Sequence, residues 1–375
     1  MDHADLFSIL KEIKFSEGAY LVGGTVRDMV IGRDPVDIDI AVSCDTERFA
    51  TDLSKKIDGS LFPLDKERRV YRITVKKRKF PSCCFDISPI RGGDIYIDLS
   101  LRDFTVDAMA MSITDDSADI IDPYNGKSDI KGKCIRAISR KSFEDDPLRL
   151  LRAFRLASIL DFEIDAETFD TIKEMHTYLR SSARERVRDE FFRLISSAKS
   201  VQYLKDMYST GLLKEILIRL NDPEIEKGLI VFERLECLYN TLASVFCPDD
   251  SDIKKYLTNN VEDGITNALL WKWITLYDTP LNSPLLKGEK GGIKNMRLGN
   301  RARKLVLIAI KNMQAFSLDK DSSNKVPLYH FFKATGDDGM GLILCQIASL
   351  QEGEGTECYD SVLKKGRDAI SWYLS

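Results

Sequence analysis

Asp37-Ile38-Asp39 opens an apolar, β-branched stretch and follows Tyr20-Leu-Val-Gly23-Gly24-Thr-Val-Arg27 after nine residues. In a strand of period two, both carboxylates point to one face. Two acids held there repel each other and lose hydration, a cost that a divalent cation offsets. The pair therefore reads as a magnesium site. A third acid, Asp86 in Cys84-Phe-Asp-Ile-Ser88, lies in another short apolar run. Three carboxylates on adjacent strands would hold two metal ions, one activating an attacking hydroxyl and the other steadying a triphosphate and its leaving pyrophosphate. The alternative for Asp86 is a solvated acid at a strand end. Gly23 and Gly24 fall at a strand-to-helix turn, where backbone N–H groups can approach a phosphate, and Arg27 is placed one turn later to grip the same group. A Gly-Gly pair alone is a plain tight turn; Arg27 and two acids within about a dozen residues make it more than that. The spacing is not GxGxxG, which sets aside a dinucleotide fold.

A second constellation is Asp145-Asp146-Pro-Leu-Arg149-Leu-Leu-Arg152-Ala-Phe-Arg155. Residues 146, 149, 152 and 155 step by three and form a slowly rotating polar stripe along a helix, with Leu150, Leu151 and Leu156 toward a core. A carboxylate accepts two hydrogen bonds and a guanidinium donates several in a plane, so Asp146 with Arg149 can imitate the Watson–Crick edge of a base. Such a pair suits cytosine or adenine and mismatches guanine and uracil. Arg152 and Arg155 would then reach phosphates. The bland alternative is an N-cap followed by a salt-bridged helix face.

The elements around these residues divide the chain. Strand-like runs at 21–22, 38–42, 70–75 and 84–87, with weaker ones at 95–99 and 137–138, mark an α+β head over 1–138. From Ser142 onward helical periodicity dominates, at 147–160, 166–179, 182–196, 201–209, 212–220 and 227–246. We divide this part into a neck (139–200), a body (201–280) and a linker with a helical tail (281–375), the tail expected to contact RNA. Proline, glycine and charge concentrate at 279–292, which reads as a flexible linker or insertion. The arginine-rich run Arg184 to Arg193 is nearly balanced by acids, so it fits helix packing as well as RNA contact. Trp271, Trp273 and Phe331-Phe332 fit helical core positions.

Among 375 residues the net charge is −4, which gives no global basic signature, so any RNA surface must be a local patch. Eight cysteines without CxxC spacing read as reduced thiols of a cytoplasmic protein. Residues 1–14 form an amphipathic helix rather than a secretion signal, and no stretch approaches membrane-spanning length. The three histidines are isolated, which disfavours a histidine-based phosphohydrolase.

Taken in order, the segments over about 18–215 resemble the class II tRNA nucleotidyltransferase and bacterial poly(A) polymerase family, within the polymerase-beta-like superfamily. Leu21-Val-Gly-Gly-x-Val-Arg-Asp through Asp39 resembles its metal and triphosphate motif. Arg102-Asp103-Phe-Thr-Val-x-Ala is similar to its ribose-sensing motif. Asp122-Pro with Gly126, Asp129 and Ile135-Arg136 resembles the hinge between head and neck, and Asp145-Asp146-Pro-Leu-Arg149 the amino-acid template that selects the incoming base.

The resemblance implies Mg2+ bound by Asp37 and Asp39; the strand reading adds Asp86 as the third catalytic carboxylate. Nucleotide contacts are implied for Gly23, Gly24, Arg27, Arg102, Asp103, Asp146, Arg149, Arg152 and Arg155. Leu101 stands where the family usually has arginine, Asp107 where it has asparagine, and Asp145 where it has glutamate. Only fifteen residues, 87–101, separate Asp86 from Arg102. Members that finish with adenosine usually carry a longer loop there, so the short one implies an enzyme that adds the two cytidines to a tRNA 3′ end from CTP and works alongside a separate A-adding enzyme. Full CCA addition with CTP and ATP, poly(A) polymerisation, and a catalytically dead RNA-binding protein are the alternatives.

Overall fold

The computed structural model describes residue 10 and residues 18–35, 37–75, 84–113, 119–218, 220–246, 250–262, 264–277, 296–312, 325–349 and 355–375. Nearly all of the 1–14 helix and the 279–292 linker expected from the sequence lie outside these residues. The chain forms two compact units, one of residues 1–149 and 160–171, the other of 150–159 and 172–375.

The first unit is built on a seven-stranded sheet. Its strands are β1 (Ala19–Val22), β2 (Asp37–Val42), β3 (Gly59–Asp65), β4 (Val70–Val75), β5 (Cys84–Pro89), β6 (Ala110–Ser112) and β7 (Ile120–Ile121). They lie in the order β3-β4-β5-β2-β1-β6-β7, and β2 and β5 run parallel while the other neighbours are antiparallel. Alternation in β2 decides its orientation. Ile38, Ile40 and Val42 enter a core with Phe85, Ile87 and Ile73, packed under helices α1 (Gly24–Ile31) and α2 (Thr46–Lys56) through Val26, Phe49 and Leu53. On the opposite face Ala41 meets Val22, Ala110, Ile95 and Leu99, so that face is covered beyond Asp39 and carries the two acids at its other end.

Ile95 and Leu99 belong to a helix, α3 (Ile95–Ser100), where the sequence reads as a weak strand. The carboxylate of Asp94 accepts hydrogen bonds from the amides of Tyr96 and Ile97, an N-cap that outweighs the β-branched residues behind it. The other weak strand shrinks to a single bridge between Phe104 and Ala137. Three strands, β3, β6 and β7, carry no clear alternation and are found only in the structure. Beyond the sheet, α4 (Gly126–Lys131), β8 (Cys134–Ile135), α5 (Arg140–Asp145) and β9 (Glu163–Ile164) complete the unit, with β8 and β9 parallel. Helix α6 (Arg149–Leu160) begins two residues after Pro147, whose neighbour Leu148 still lies in a turn.

The second unit is almost entirely helical, as expected. Trp271, Trp273, Phe331 and Phe332 are buried in it. Its α7 (Arg184–Ile195) holds the arginine-rich run, and Arg188 there donates to the carbonyl of Arg297 and pairs with Asp189. Lys272 is also buried, donating to Glu236 at 2.7 Å and to the carbonyl of Ile195 at 3.1 Å. That carbonyl is one of the orphans at a helix end, and Lys272 satisfies it. Among the described residues no helix is long and apolar enough to cross a membrane.

Candidate active site

Asp37 and Asp39 share one face of β2, and the turn before α1 rises beside them. Gly23 caps that helix with φ 64° and ψ −133°, a conformation open to glycine. A Cβ at this position would also stand 2.6 Å from Nη1 of Arg102 and 3.5 Å from Oδ2 of Asp39. Glycine is thus required twice, by the turn and by the close approach. Thr25, fully buried, locks the arrangement: its hydroxyl donates to the carbonyl of Asp37 at 3.2 Å and accepts from the amide of Asp39 at 2.7 Å. The first turn of α1 is therefore bolted to the backbone between the two acids. Nothing local in the sequence distinguishes Thr25 as a bolting threonine from one that merely starts a helix.

Asp86 lies directly opposite Asp39 in the parallel register of β2 and β5. Its two oxygens, however, accept from Nε and Nη2 of Arg72, both at 2.6 Å. Asp86 thus adds negative charge beside Asp39 while its own charge is answered by Arg72. Burial pushes the Asp39 carboxyl up; Arg102 draws it down, while Asp86, Asp107 and Asp37 push it up further, to about 6. A carboxylate held this reluctantly in its charged form is relieved by a bound cation. Among the described residues no cluster of three or more histidine, cysteine or acidic side chains forms a closed metal cage. Magnesium needs none: one or two carboxylates with substrate phosphates and water complete its shell. Asp37, exposed, and Asp39, partly buried, fit that donor set.

The arginines converge on the same edge. Arg27 donates through Nη1 to Asp107 at 2.7 Å and through Nε to Asp28 at 2.9 Å. The aspartate at 107 therefore forms an ion pair that asparagine could not. Arg102 donates through Nη1 to the carbonyl of Asp107 and through Nε and Nη2 to Asp98, at 3.1 and 3.0 Å. Asp98 is buried and also binds Arg91. Burial raises its carboxyl, and the Arg91 hydrogen bond with the charges of Arg102 and Arg91 outweighs that, leaving it below the usual carboxylate value. No sequence motif singled it out. Asp103 is buried, and its carboxylate accepts from the amide of Phe104.

Asp146 and Arg149 sit where α5 gives way to α6. The Asp146 carboxylate accepts from the amide of Leu148 at 3.2 Å, capping the turn. The Arg149 guanidinium donates to the carbonyls of Ser142 at 3.2 Å and Leu101 at 3.0 Å. Bonds to backbone groups thus orient both side chains of the pair expected to read the base. Arg152 and Arg155 fall in the stretch counted with the second unit, where Nε of Arg155 donates to Glu190 at 2.7 Å. Within the first unit, then, the structure gathers Asp37, Asp39, Asp86, Gly23, Arg27 and Arg102 at one end of the sheet. The hinge-like motif forms its own lattice: Asp122 accepts from the amides of Gly126 and Lys127, and Asp129 accepts from Thr105 and Arg136.

Residues 19–136 match the family described as Poly A polymerase head domain, and residues 161–229 match one described as probable RNA and SrmB-binding site of polymerase A. The chain is 39% identical over 255 residues to a CC-adding tRNA nucleotidyltransferase of Geobacter sulfurreducens, covering 68% of this chain and 58% of that protein. It is 34% identical over 296 residues to a CCA-adding enzyme of Streptococcus suis, covering 74% and 72% respectively. The alignment to the Geobacter protein thus spans less than two thirds of that relative's length. A Thermotoga maritima CCA-adding enzyme solved with tRNA shares the fold, with a TM-score of 0.70 at 22% identity over 100% of this chain and 82% of that one.

Proposed function

Because the chain belongs to the family of tRNA nucleotidyltransferases and bacterial poly(A) polymerases, we propose that it transfers CMP from CTP to the 3′ end of immature tRNA in the cytoplasm. The observation that carries this reading is the convergence of Asp37 and Asp39 with Arg27 and Arg102 beside the glycine turn at Gly23.

The terminal 3′ hydroxyl of the tRNA gives up its proton to solvent as its oxygen bonds to the α-phosphorus of CTP, the bond from that phosphorus to the bridging oxygen breaks, and pyrophosphate leaves. Asp37 and Asp39 would hold Mg2+, which would lower the pKa of the attacking hydroxyl and steady the departing pyrophosphate. Thr25 fixes the spacing of the two acids. Arg27 and Arg102 face the triphosphate, the Gly23–Gly24 turn lets main-chain N–H groups approach it, and Asp146 with Arg149 reads the base. Residues 1–138 act as head, 139–200 as neck, 201–280 as body and 281–375 as tail.

Addition of two cytidines without adenosine is favoured by the short connection after Asp86, which is filled by the turn Arg91–Gly93 and by α3. Such a product requires a separate A-adding enzyme to complete the tRNA. Full CCA addition is the second reading, favoured by the longer alignment to the Streptococcus suis protein. Purified protein with Mg2+ and tRNA ending at the discriminator base should add two cytidines with CTP, and nothing more when ATP is supplied as well. A third, adenosine addition would establish the second reading, and no incorporation would overturn both.

A further inference from the structure

Asp98 has no role in the reaction assigned above, yet its side chain is only 4% exposed. Its Oδ1 accepts from Nε of Arg91 at 2.7 Å and from the Arg91 amide at 3.2 Å, and its Oδ2 from two nitrogens of Arg102. Its main-chain carbonyl accepts once more from Arg91, at 2.9 Å. A carboxylate so stripped of water is tolerated because two guanidiniums replace its hydration. Both arginines point onward. Arg102 lies over Gly23 beside Asp39 and donates to the carbonyl of Asp107, whose carboxylate holds Arg27. Arg91 donates through Nη1 to the carbonyl of Leu101 at 3.3 Å, the same oxygen that accepts from Arg149.

We propose that Asp98 is a positioning residue that fixes the two ends of the bound nucleotide relative to one another. Through Arg102 it sets the phosphate end, and through Arg91 and the Leu101 carbonyl it sets the base-reading end at Arg149. The inference rests on the reading of Arg102 and Arg149 as nucleotide contacts. Residue 101 takes part through its main chain, which is why leucine, its side chain 42% exposed, serves where the family usually has arginine. Without a carboxylate at 98, two guanidiniums face each other with no counter-ion between them. Arg102 then turns toward the acids around Gly23, and Arg91 loosens its hold on the oxygen that anchors Arg149.

The test compares Asp98→Asn, Asp98→Glu and Arg91→Met with the parent protein, measuring equilibrium binding of CTP and UTP and the kcat/KM ratio for the two nucleotides on tRNA ending at the discriminator base. Asp98→Asn should weaken CTP binding about tenfold and lower the CTP-to-UTP ratio about tenfold, the scale of lost outer-shell support. Arg91→Met removes the Leu101 arm together with the Arg91 side-chain bonds to Asp98, and leaves the Asp98–Arg102 pair in place. It should lower the ratio with about a twofold change in CTP affinity, and Asp98→Glu should recover part of both losses. A purely structural role would reduce binding of both nucleotides together, so an unchanged ratio in Asp98→Asn and Arg91→Met overturns the proposal. If Asp98→Asn fails to fold, the ratio in Arg91→Met decides. A parent protein that prefers CTP in binding but extends no tRNA would refute the tRNA reading, and the binding ratios would still judge Asp98.

Discussion

The two ends of the candidate site are held by different means. At the proposed phosphate end, Asp37 and Asp39 are fixed by pairing with β5 along one side of β2 and by the Thr25 hydroxyl between them, and the strand is held on its β1 side from Ile40 onward. At the base-reading end, Asp146 and Arg149 stand at a helix junction and are held by bonds from side chains to single backbone groups. A sheet resists displacement because each bond is backed by its neighbours in the ladder. A junction held by individual bonds can re-aim when one of them is lost. On the proposed roles, chemistry common to every nucleotide is built into the sheet, and choice among nucleotides into the junction.

Breaking the rigid end should have the largest effect. Asp39→Ala is expected to lower CMP incorporation by about a thousandfold or more while leaving the fold intact by circular dichroism. Activity within tenfold of the parent would remove Asp39 from the metal site. Thr25→Val keeps the shape and deletes the bolt, leaving the Asp39 amide without its acceptor. We expect about 1–3 kcal/mol of lost stability in urea titration and a kcat about 10–100-fold lower, with CTP-to-UTP selectivity preserved. Arg149→Ala should do the reverse, costing about tenfold or more in selectivity with little change in melting temperature. If Thr25→Val changed selectivity as much as Arg149→Ala does, the division of labour would fail.

The smallest effect expected concerns pH. Asp39 titrates near 6 in the folded chain against 3.8 for a free aspartate, so the folded form binds its proton more tightly. Stability is then lost as pH rises from about 4 to about 6 and stays lower above that. Asp39→Asn removes this penalty and should stabilise the protein by about 1–3 kcal/mol at pH 7–8 but not at pH 4, measured by calorimetry. Asp98 works in the opposite direction. Its carboxyl lies below the ordinary value, so its contribution is present above about pH 4 and fades as pH falls through the lowered value. Asp98→Asn should accordingly be most destabilising at neutral pH.

What the sequence made legible follows the same division. Asp37, Asp39 and the glycine turn were readable because strand alternation and a strand-to-helix turn are local patterns. So was the helical second unit. Thr25, Asp98 and Arg72 were not, because their importance lies in partners brought near by folding: an amide fourteen positions away for Thr25, an arginine seven positions earlier for Asp98 and a cross-strand acid for Arg72. Residues 95–99 were misread for a related reason. Two isoleucines spaced by two look like a strand, and the Asp94 side chain, by capping the amides of Tyr96 and Ile97, makes them a helix.

The chain's path also governs how the first unit can come into being. Residues 160–171 return to the first unit after ten residues spent in the second. They bring β9 to pair with β8, Asp165 to meet Arg136, and the Thr168 hydroxyl to accept from the amide of Ala137. A fragment ending at 149 would therefore expose an unpaired strand and a charged side chain stripped of one partner. During synthesis the contacts of β9, Asp165 and Thr168 with the first unit cannot form until those residues have left the ribosome, by which time residues 150–159 of the second unit have already been made. Any scheme to transplant the first unit onto another body must graft two separate pieces of chain, not one.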